Sequence, residues 1–303
     1  MSTNTDAPPY LVSLIEDTLG KRAVHFGQPD CGLSAAHRFS VKLDDDTRVF
    51  VKAATDDDTA RWLHTEHLVL STTPVELMPG VVAWIEPHDG WPVLITEDLS
   101  HAYWPASHAG VTWRNGDFDL LFAAIERLSS LPANPELRSL VNRRSAIWST
   151  IAAKPEFFLQ LGLCSDRWFG NAIDALIEAE RNVDVMGDTF IHGDIRSDNI
   201  CILGTQVKFV DWSHAARGSE TYNLAQVLPT LHLEGGPLPY DVMPNGGSHA
   251  ASICASSAQR LVTDHGMPGW LKDVFKRLVA IELEWASSCL GLPKPDGPLA
   301  ATG

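Results

Sequence analysis

Five polar side chains, His192, Asp194, Arg196, Asp198 and Asn199, interrupt the stretch TFIHGDIRSDNICIL, whose flanks are apolar and strand-like. Phe190 and Ile191 precede them, and Ile200, Ile202 and Leu203 follow. Asp211 lies 12 residues after Asn199, at the end of VKFVD. NICIL and VKFVD are spaced to pair as a tight hairpin across Gly204–Gln206, which turns Asn199 and Asp211 toward one end of the ribbon. Two adjacent oxygen donors suit a hard cation such as Mg²⁺, which shares its shell with substrate phosphates. Asp194, on the loop before Asn199, can then reach an attacking hydroxyl, and Arg196 a phosphoryl group between the two. The alternative is a polar loop whose Asp and Asn cap turns. The ordered recurrence of the whole set favours the chemical reading.

Other chemistries find less support. GxxxxGK[ST], GxGxxG and GxSxG are all absent. His64 and His67 in HTEH stand one helical turn apart but have no third ligand nearby, so they read as an ordinary helix surface. A metal-dependent hydrolase built on His192 and Asp194 would need more ligands than any cluster supplies.

The elements that must position these residues divide the chain of 303 residues into a small sheet region and a longer helical region. PPYLVSLIEDTLG reads as a helix with Leu11, Leu14, Ile15 and Leu19 on one face, stopped by Gly20. Residues 37–54 read as a hairpin turning through Asp44–Asp46. Residues 56–74 read as a helix with Asp58 or Thr59 as N-cap and Pro74 beyond its end. GVVAWIEP and WPVLITEDL are further strands. The expected divisions are a sheet lobe over 1–97, a hinge and linker over 98–112, and a helical lobe over 113–303. Residues 235–247, rich in Gly and Pro, read as a loop.

Composition narrows the partners. A formal charge of −15 argues against nucleic acid, which needs a basic face. Five single cysteines form no CxxC pair and read as reduced thiols of a cytoplasmic protein. The N-terminus has no signal pattern, and no apolar run is long enough to span a bilayer.

HGDIRSDN together with VDW resembles the catalytic core of the aminoglycoside phosphotransferase and choline kinase family, small-molecule relatives of the protein kinases. The likeness spans about residues 20–292. It implies an α+β, bilobal, protein-kinase-like fold: a small β-sheet lobe with one helix, and a larger, mainly helical lobe. It also implies Asp194 as catalytic base, Asn199 and Asp211 as Mg²⁺ ligands, His192 as a support for the loop, and Arg196 at the γ-phosphate. Such a kinase needs a strand lysine paired with a helix glutamate, and RVFVKAA supplies Lys52. A lysine ending a hairpin strand otherwise reads as solvated. Glu66, however, sits within the apolar stripe Leu63–Leu70 and needs a cation. DCGLSAAHRF, with Ser34, falls where a phosphate-covering loop belongs, and LITEDL resembles the hinge, with Thr96 and Asp98 at the purine edge.

The resemblance implies ATP or GTP as donor and a hydroxyl of an antibiotic-type natural product as acceptor, bound on the helical lobe. Alternatives are a primary metabolite such as choline or an amino sugar, or an inactive nucleotide-binding protein. A protein substrate fits less well, because no Ala-Pro-Glu segment follows Asp211. The chain is expected to be a monomer or homodimer. Seven tryptophans from Trp104 onward offer ring-stacking surface, and Trp212, directly after a metal ligand, is the one expected at the acceptor. Ser213, Ser219 and Asn223 depart from the family pattern, the last two standing where relatives often carry aspartates.

Overall fold

The computed structural model describes residues 7–29, 35–73, 76–88, 90–142 and 146–297. They form two compact units, each made of two separate stretches of chain. The first comprises Met1–Arg138 and His192–Ala216, and the second Ser139–Ile191 and Arg217–Gly303.

The first unit opens with helix α1 (Pro9–Leu19), which buries Leu11 and Ile15 and ends at Gly20 in the left-handed conformation. Five strands follow: β1 (Ala23–Gly27), β2 (His37–Leu43), β3 (Arg48–Ala53), and, after helix α2 (Asp57–Thr72), β4 (Val81–Ile85) and β5 (Val93–Glu97). They form one antiparallel sheet in the order β1-β2-β3-β5-β4. Period-two alternation sends Phe39, Val41 and Leu43 of β2 and Val49, Val51 and Ala53 of β3 into a core shared with Leu11 and Ile15. Phe50 and Lys52 therefore occupy the opposite face of β3.

The β2–β3 turn runs through Asp44–Asp46, with Asp46 at φ 67° and Lys42 paired to it at 2.6 Å. Helix α2 starts earlier than either cap expected from sequence. Asp56 is the N-cap, accepting the Thr59 N–H at 2.8 Å, while Thr59 Oγ1 accepts the Asp56 N–H at 3.0 Å. Thr59 thus serves as the third residue of a capping box, where its hydroxyl closes the reciprocal pair. Pro74 lies outside the described residues. After β5, a two-residue ladder (Ala106–Ser107 with Gly110–Val111) and the helix Asp117–Ser129 also belong to this unit.

The second unit is mainly helical. Its long helices are Asp166–Arg181, Tyr222–Leu233, Gly247–Thr263 and Gly269–Leu290. Trp148, Phe158, Trp168 and Trp285 are buried within it. Glu180, itself buried, accepts the Ile147 and Trp148 N–H groups at 2.7 and 2.9 Å and so caps the helix Ile147–Ala153. The stretch expected as a loop over 235–247 contains one helical turn, Pro239–Val242, started by a proline whose missing N–H costs a helix nothing at that position. Among the described residues, no helix is long and apolar enough to cross a membrane.

Candidate active site

The catalytic, metal and nucleotide candidates in the described part of the chain all fall in the first unit, and the catalytic stretch is built from its backbone outward. Ile200–Leu203 pairs antiparallel with Gln206–Phe209, and the turn between them is Gly204–Thr205. The loop before this hairpin is pinned by His192, which is fully buried between Phe209 and Trp212. His192 Nε2 donates to Val210 O at 3.0 Å, and Nδ1 accepts the Asp194 N–H at 3.3 Å, which requires the neutral tautomer protonated at Nε2.

Burial pushes the pKa of His192 down to about 4, against the opposing pull of Asp211. In an unfolded chain it would titrate near 6.5. Between these values, as pH falls, the unfolded state binds a proton that the native state refuses. Native stability from this residue is therefore whole above about pH 6.5 and is lost toward pH 4, by about 3 kcal/mol at most. The His192 ring resonances should show no protonation step above about pH 5 in an NMR titration. A step near 6.5 would mean a solvated ring.

Gly193 is required by close approach. Its φ is 81°, and a Cβ there would stand 2.5 Å from the carbonyl oxygen of His214. Gly193→Ala should cost more than the ~1–2 kcal/mol of a left-handed residue alone, because the backbone contact must also open. The thermal midpoint and kcat should fall together, as measured by calorimetry and steady-state assay.

Asp194 is half-buried. Its Oδ2 accepts from Asn199 Nδ2 at 3.1 Å, and the same amide donates to Asp194 O at 2.9 Å. Burial raises the Asp194 pKa, opposed by Arg196, whose Nε is 3.4 Å from Oδ1. Arg196 also contacts Asp198 at 3.1 Å and is otherwise exposed. With its amide nitrogen engaged by Asp194, Asn199 keeps Oδ1 as an oxygen donor.

Asp211 has φ 63°, a conformation costing a non-glycine residue ~1–2 kcal/mol. Burial raises its pKa, but Lys52 and a hydrogen bond from Ser213 outweigh this and hold it at about 2. The group is therefore anionic at neutral pH. An anionic carboxylate and an amide oxygen are the donor chemistry that Mg²⁺ takes, so these side chains fit that ion.

Lys52 Nζ lies 2.8 Å from both carboxylate oxygens of Glu66 and 3.5 Å from Asp211 Oδ1. Burial disfavours the ammonium, but the two carboxylates outweigh it and raise the Lys52 pKa. Thr96 lies within β5, paired with Phe50 of β3 and Val81 of β4. The Asp98 carboxylate is tied by the hydroxyls of Ser40 and Ser100, and it accepts the Ser100 N–H at 3.0 Å. Ser34 lies outside the described residues.

One expectation is corrected. Trp212 has no exposed surface, and its indole N–H donates to Phe209 O at 3.0 Å. It packs on His192 and cannot stack an acceptor. His64 and His67 both pack on Trp84, with His67 stacked at 4.2 Å, so they serve a helix–strand contact.

Two contributions were not read from sequence. Lys208 joins Glu97 at 2.7 Å and Met78 O at 3.1 Å, tying the catalytic hairpin to β5. Ser213, noted only as a departure, donates to Asp211 Oδ1 at 2.8 Å. In the second unit, Asn223 donates from Nδ2 to Phe190 O at 2.6 Å, a bond that an ionised aspartate could not donate.

No protein-family model and no curated protein matches the chain. Solved structures do match in fold. A thermostable mutant of aminoglycoside phosphotransferase APH(4)-Ia, in ternary complex with AMP-PNP and hygromycin B, superposes with a TM-score of 0.58 at 12% identity, over 90% of this chain and 97% of that one. The GDP complex of aminoglycoside 2'-phosphotransferase-IIIa gives 0.54 at 13% identity, over 93% and 98%. The macrolide 2'-phosphotransferase MphH from Brachybacterium faecium gives 0.54 at 11%, over 90% and 98%. The chain therefore has the kinase-like α+β fold that these phosphotransferases share.

Proposed function

We propose that the protein is a small-molecule kinase that transfers the γ-phosphoryl group of ATP or GTP to a hydroxyl of an antibiotic-type natural product. The observation that carries this reading is the charge constellation of the first unit. Lys52 is held by Glu66 at 2.8 Å and stands 3.5 Å from Asp211, while Asp194 is clamped by Asn199 at 3.1 Å. Phosphoryl transfer depends on positioning and charge neutralisation, and this is the set of parts it uses.

In the reaction, Asp194 orients the acceptor hydroxyl and takes its proton as the oxygen bonds to the γ-phosphorus. The bond from that phosphorus to the β–γ bridging oxygen breaks, and the nucleoside diphosphate leaves. The raised pKa of Asp194 makes it a better proton acceptor than an ordinary carboxylate. Lys52 contacts the α- and β-phosphates, and Arg196 the transferring group. Asn199 and Asp211 are the residues that would hold Mg²⁺, which when bound neutralises phosphate charge. His192 positions the loop and takes no part in proton transfer. Thr96 and Asp98 are assigned to the purine edge and Ser34 to the phosphates.

The acceptor class is supported by the fold neighbours, among them structures with hygromycin B and with kanamycin. The free thiols fit a cytoplasmic location. The test incubates purified protein with ATP and with GTP against a panel of aminoglycosides, macrolides, other hydroxylated antibiotics, choline and amino sugars. The expected result is one phosphate added to an antibiotic, seen by mass, and raised tolerance in a sensitive bacterium. Modification of choline or an amino sugar alone would refute the antibiotic acceptor and keep the kinase. No turnover with any acceptor, despite nucleotide binding, would refute the enzyme.

A further inference from the structure

The helices Gly247–Thr263 and Gly269–Leu290 of the second unit pack on one another and enclose an acid. Glu282 is only 3% exposed. Its Oε1 accepts the Ser257 hydroxyl at 3.1 Å, and Oε2, enclosed by protein, has no hydrogen-bond partner among the described residues. Val279, Trp285 and Ala286, one turn away on its own helix, are apolar and have no exposed surface.

Among the described residues no cation pairs with this acid. Facing it from Gly247–Thr263 is Cys254, whose Sγ donates to Val279 O at 3.8 Å and whose thiol is held neutral by burial and by Glu282 itself. Arg260 of that helix lies over the ring of Phe275, 4.7 Å from its centre. The helix Asp166–Arg181 adds a further acid near Cys254, Glu180. From Tyr222–Leu233, His232 is bonded to Gly236 O at 3.1 Å. From Pro239–Val242, Tyr240 sits in the field of Asp241 and Glu284, the latter paired with Lys294 at 3.0 Å. Lys272, Lys276 and Arg277 stand five to ten residues earlier on the acid's own helix. An ionised carboxylate here would have one hydroxyl donor and a second oxygen with none, the arrangement that burial penalises most. Glu282 therefore keeps its proton at neutral pH. Burial pushes its pKa up to about 8, against the pull of the Ser257 hydroxyl.

We propose that Glu282 is a pH-sensitive latch between these two helices: the pair stays packed while the carboxyl is protonated, and alkaline pH opens it by drawing the proton into solvent. In the opened pair the carboxyl meets water and titrates near 4.3. Between that value and about 8, the closed pair holds a proton that the open pair has released. Stability from this residue is therefore whole below about pH 4.3 and falls as pH rises toward 8. The opening equilibrium constant should rise about tenfold per pH unit across this window, ~10³-fold from about pH 5 to 8.

The test is hydrogen–deuterium exchange of the full chain, read by mass spectrometry on peptides from 247–290 and corrected for the intrinsic rate at each pH. Glu282→Gln keeps the size and the oxygen that accepts from Ser257 but cannot ionise. From about pH 5 to 8, opening in the wild type should rise ~10³-fold more than in Glu282→Gln. His192 is common to both proteins, so its own titration cancels in the comparison. Parallel profiles for the two proteins would overturn the latch. Glu282→Met, apolar and of similar length, serves as the non-ionising reference if the Gln variant folds poorly. Infrared spectroscopy gives an independent reading. The wild type at about pH 6 should show a protonated-carboxyl band that is missing from whichever variant folds, and its absence from the wild type would also overturn the proposal.

Discussion

Asp194→Asn should lower kcat by ~10²–10⁴-fold, the contribution of a positioned general base, and leave nucleotide affinity nearly unchanged. Asparagine preserves size and can still accept from the Asn199 amide through its side-chain oxygen, so the 3.1 Å contact that shapes the loop is retained. What disappears is the ability to take a proton. Because Asp194 lies near Arg196 and receives an amide from Asn199, its removal as a base does not expose an unpaired buried charge, and the fold should survive. The check is steady-state kinetics together with equilibrium nucleotide binding on the same preparation. A variant with near-normal kcat would remove Asp194 from the chemistry.

The second large effect is expected at Lys52. Lys52→Ala leaves the buried Glu66 carboxylate without its cation, a loss worth ~3–5 kcal/mol when one partner of a buried pair is removed. It should also raise the nucleotide KM and lower kcat together, since the ammonium contacts phosphates in both ground and transition states. The double variant Lys52→Ala, Glu66→Gln separates the two consequences. Neutralising Glu66 should recover most of the thermal midpoint and none of the kinetics. If the single variant keeps both kinetic constants, Lys52 has no part in nucleotide binding. If the double variant recovers turnover, the pair matters only for folding.

The contact between Lys52 and Glu66 was legible because each half left a local signal. Alternation along RVFVKA puts Lys52 on the face away from Val49 and Val51, and helical spacing buries Glu66 beside Leu63 and Leu70. The catalytic hairpin was legible from two short apolar strands and a glycine turn. Contacts closed by tertiary packing were not. The Lys208–Glu97 pair joins positions 111 residues apart, and neither neighbourhood names the other. Trp212 was placed by its chain neighbour Asp211, but adjacent residues in a one-turn helix point in different directions, and the indole turned inward onto His192. The cap of α2 was not legible, because Asp56, Asp57, Asp58 and Thr59 all have capping chemistry, and only backbone geometry selects among them.

The first unit is closed by a segment that arrives late. Lys52 and Asp211 meet at 3.5 Å although 159 positions separate them, with Ser139–Ile191 of the other unit lying between on the chain. On a ribosome, the sheet and α2 emerge well before the catalytic hairpin, so the nascent sheet must wait for its partner at ~5–20 residues per second. During that interval the ion pair of Lys52 and Glu66, only 14 positions apart, can form, whereas the tie from Lys208 to β5 cannot. Joining such distant stretches carries a loop-closure entropy and slows the final step. The site is thus assembled by the same event that completes the unit: a chain interrupted before residue 192 carries the lysine and the glutamate but neither of the aspartates they serve.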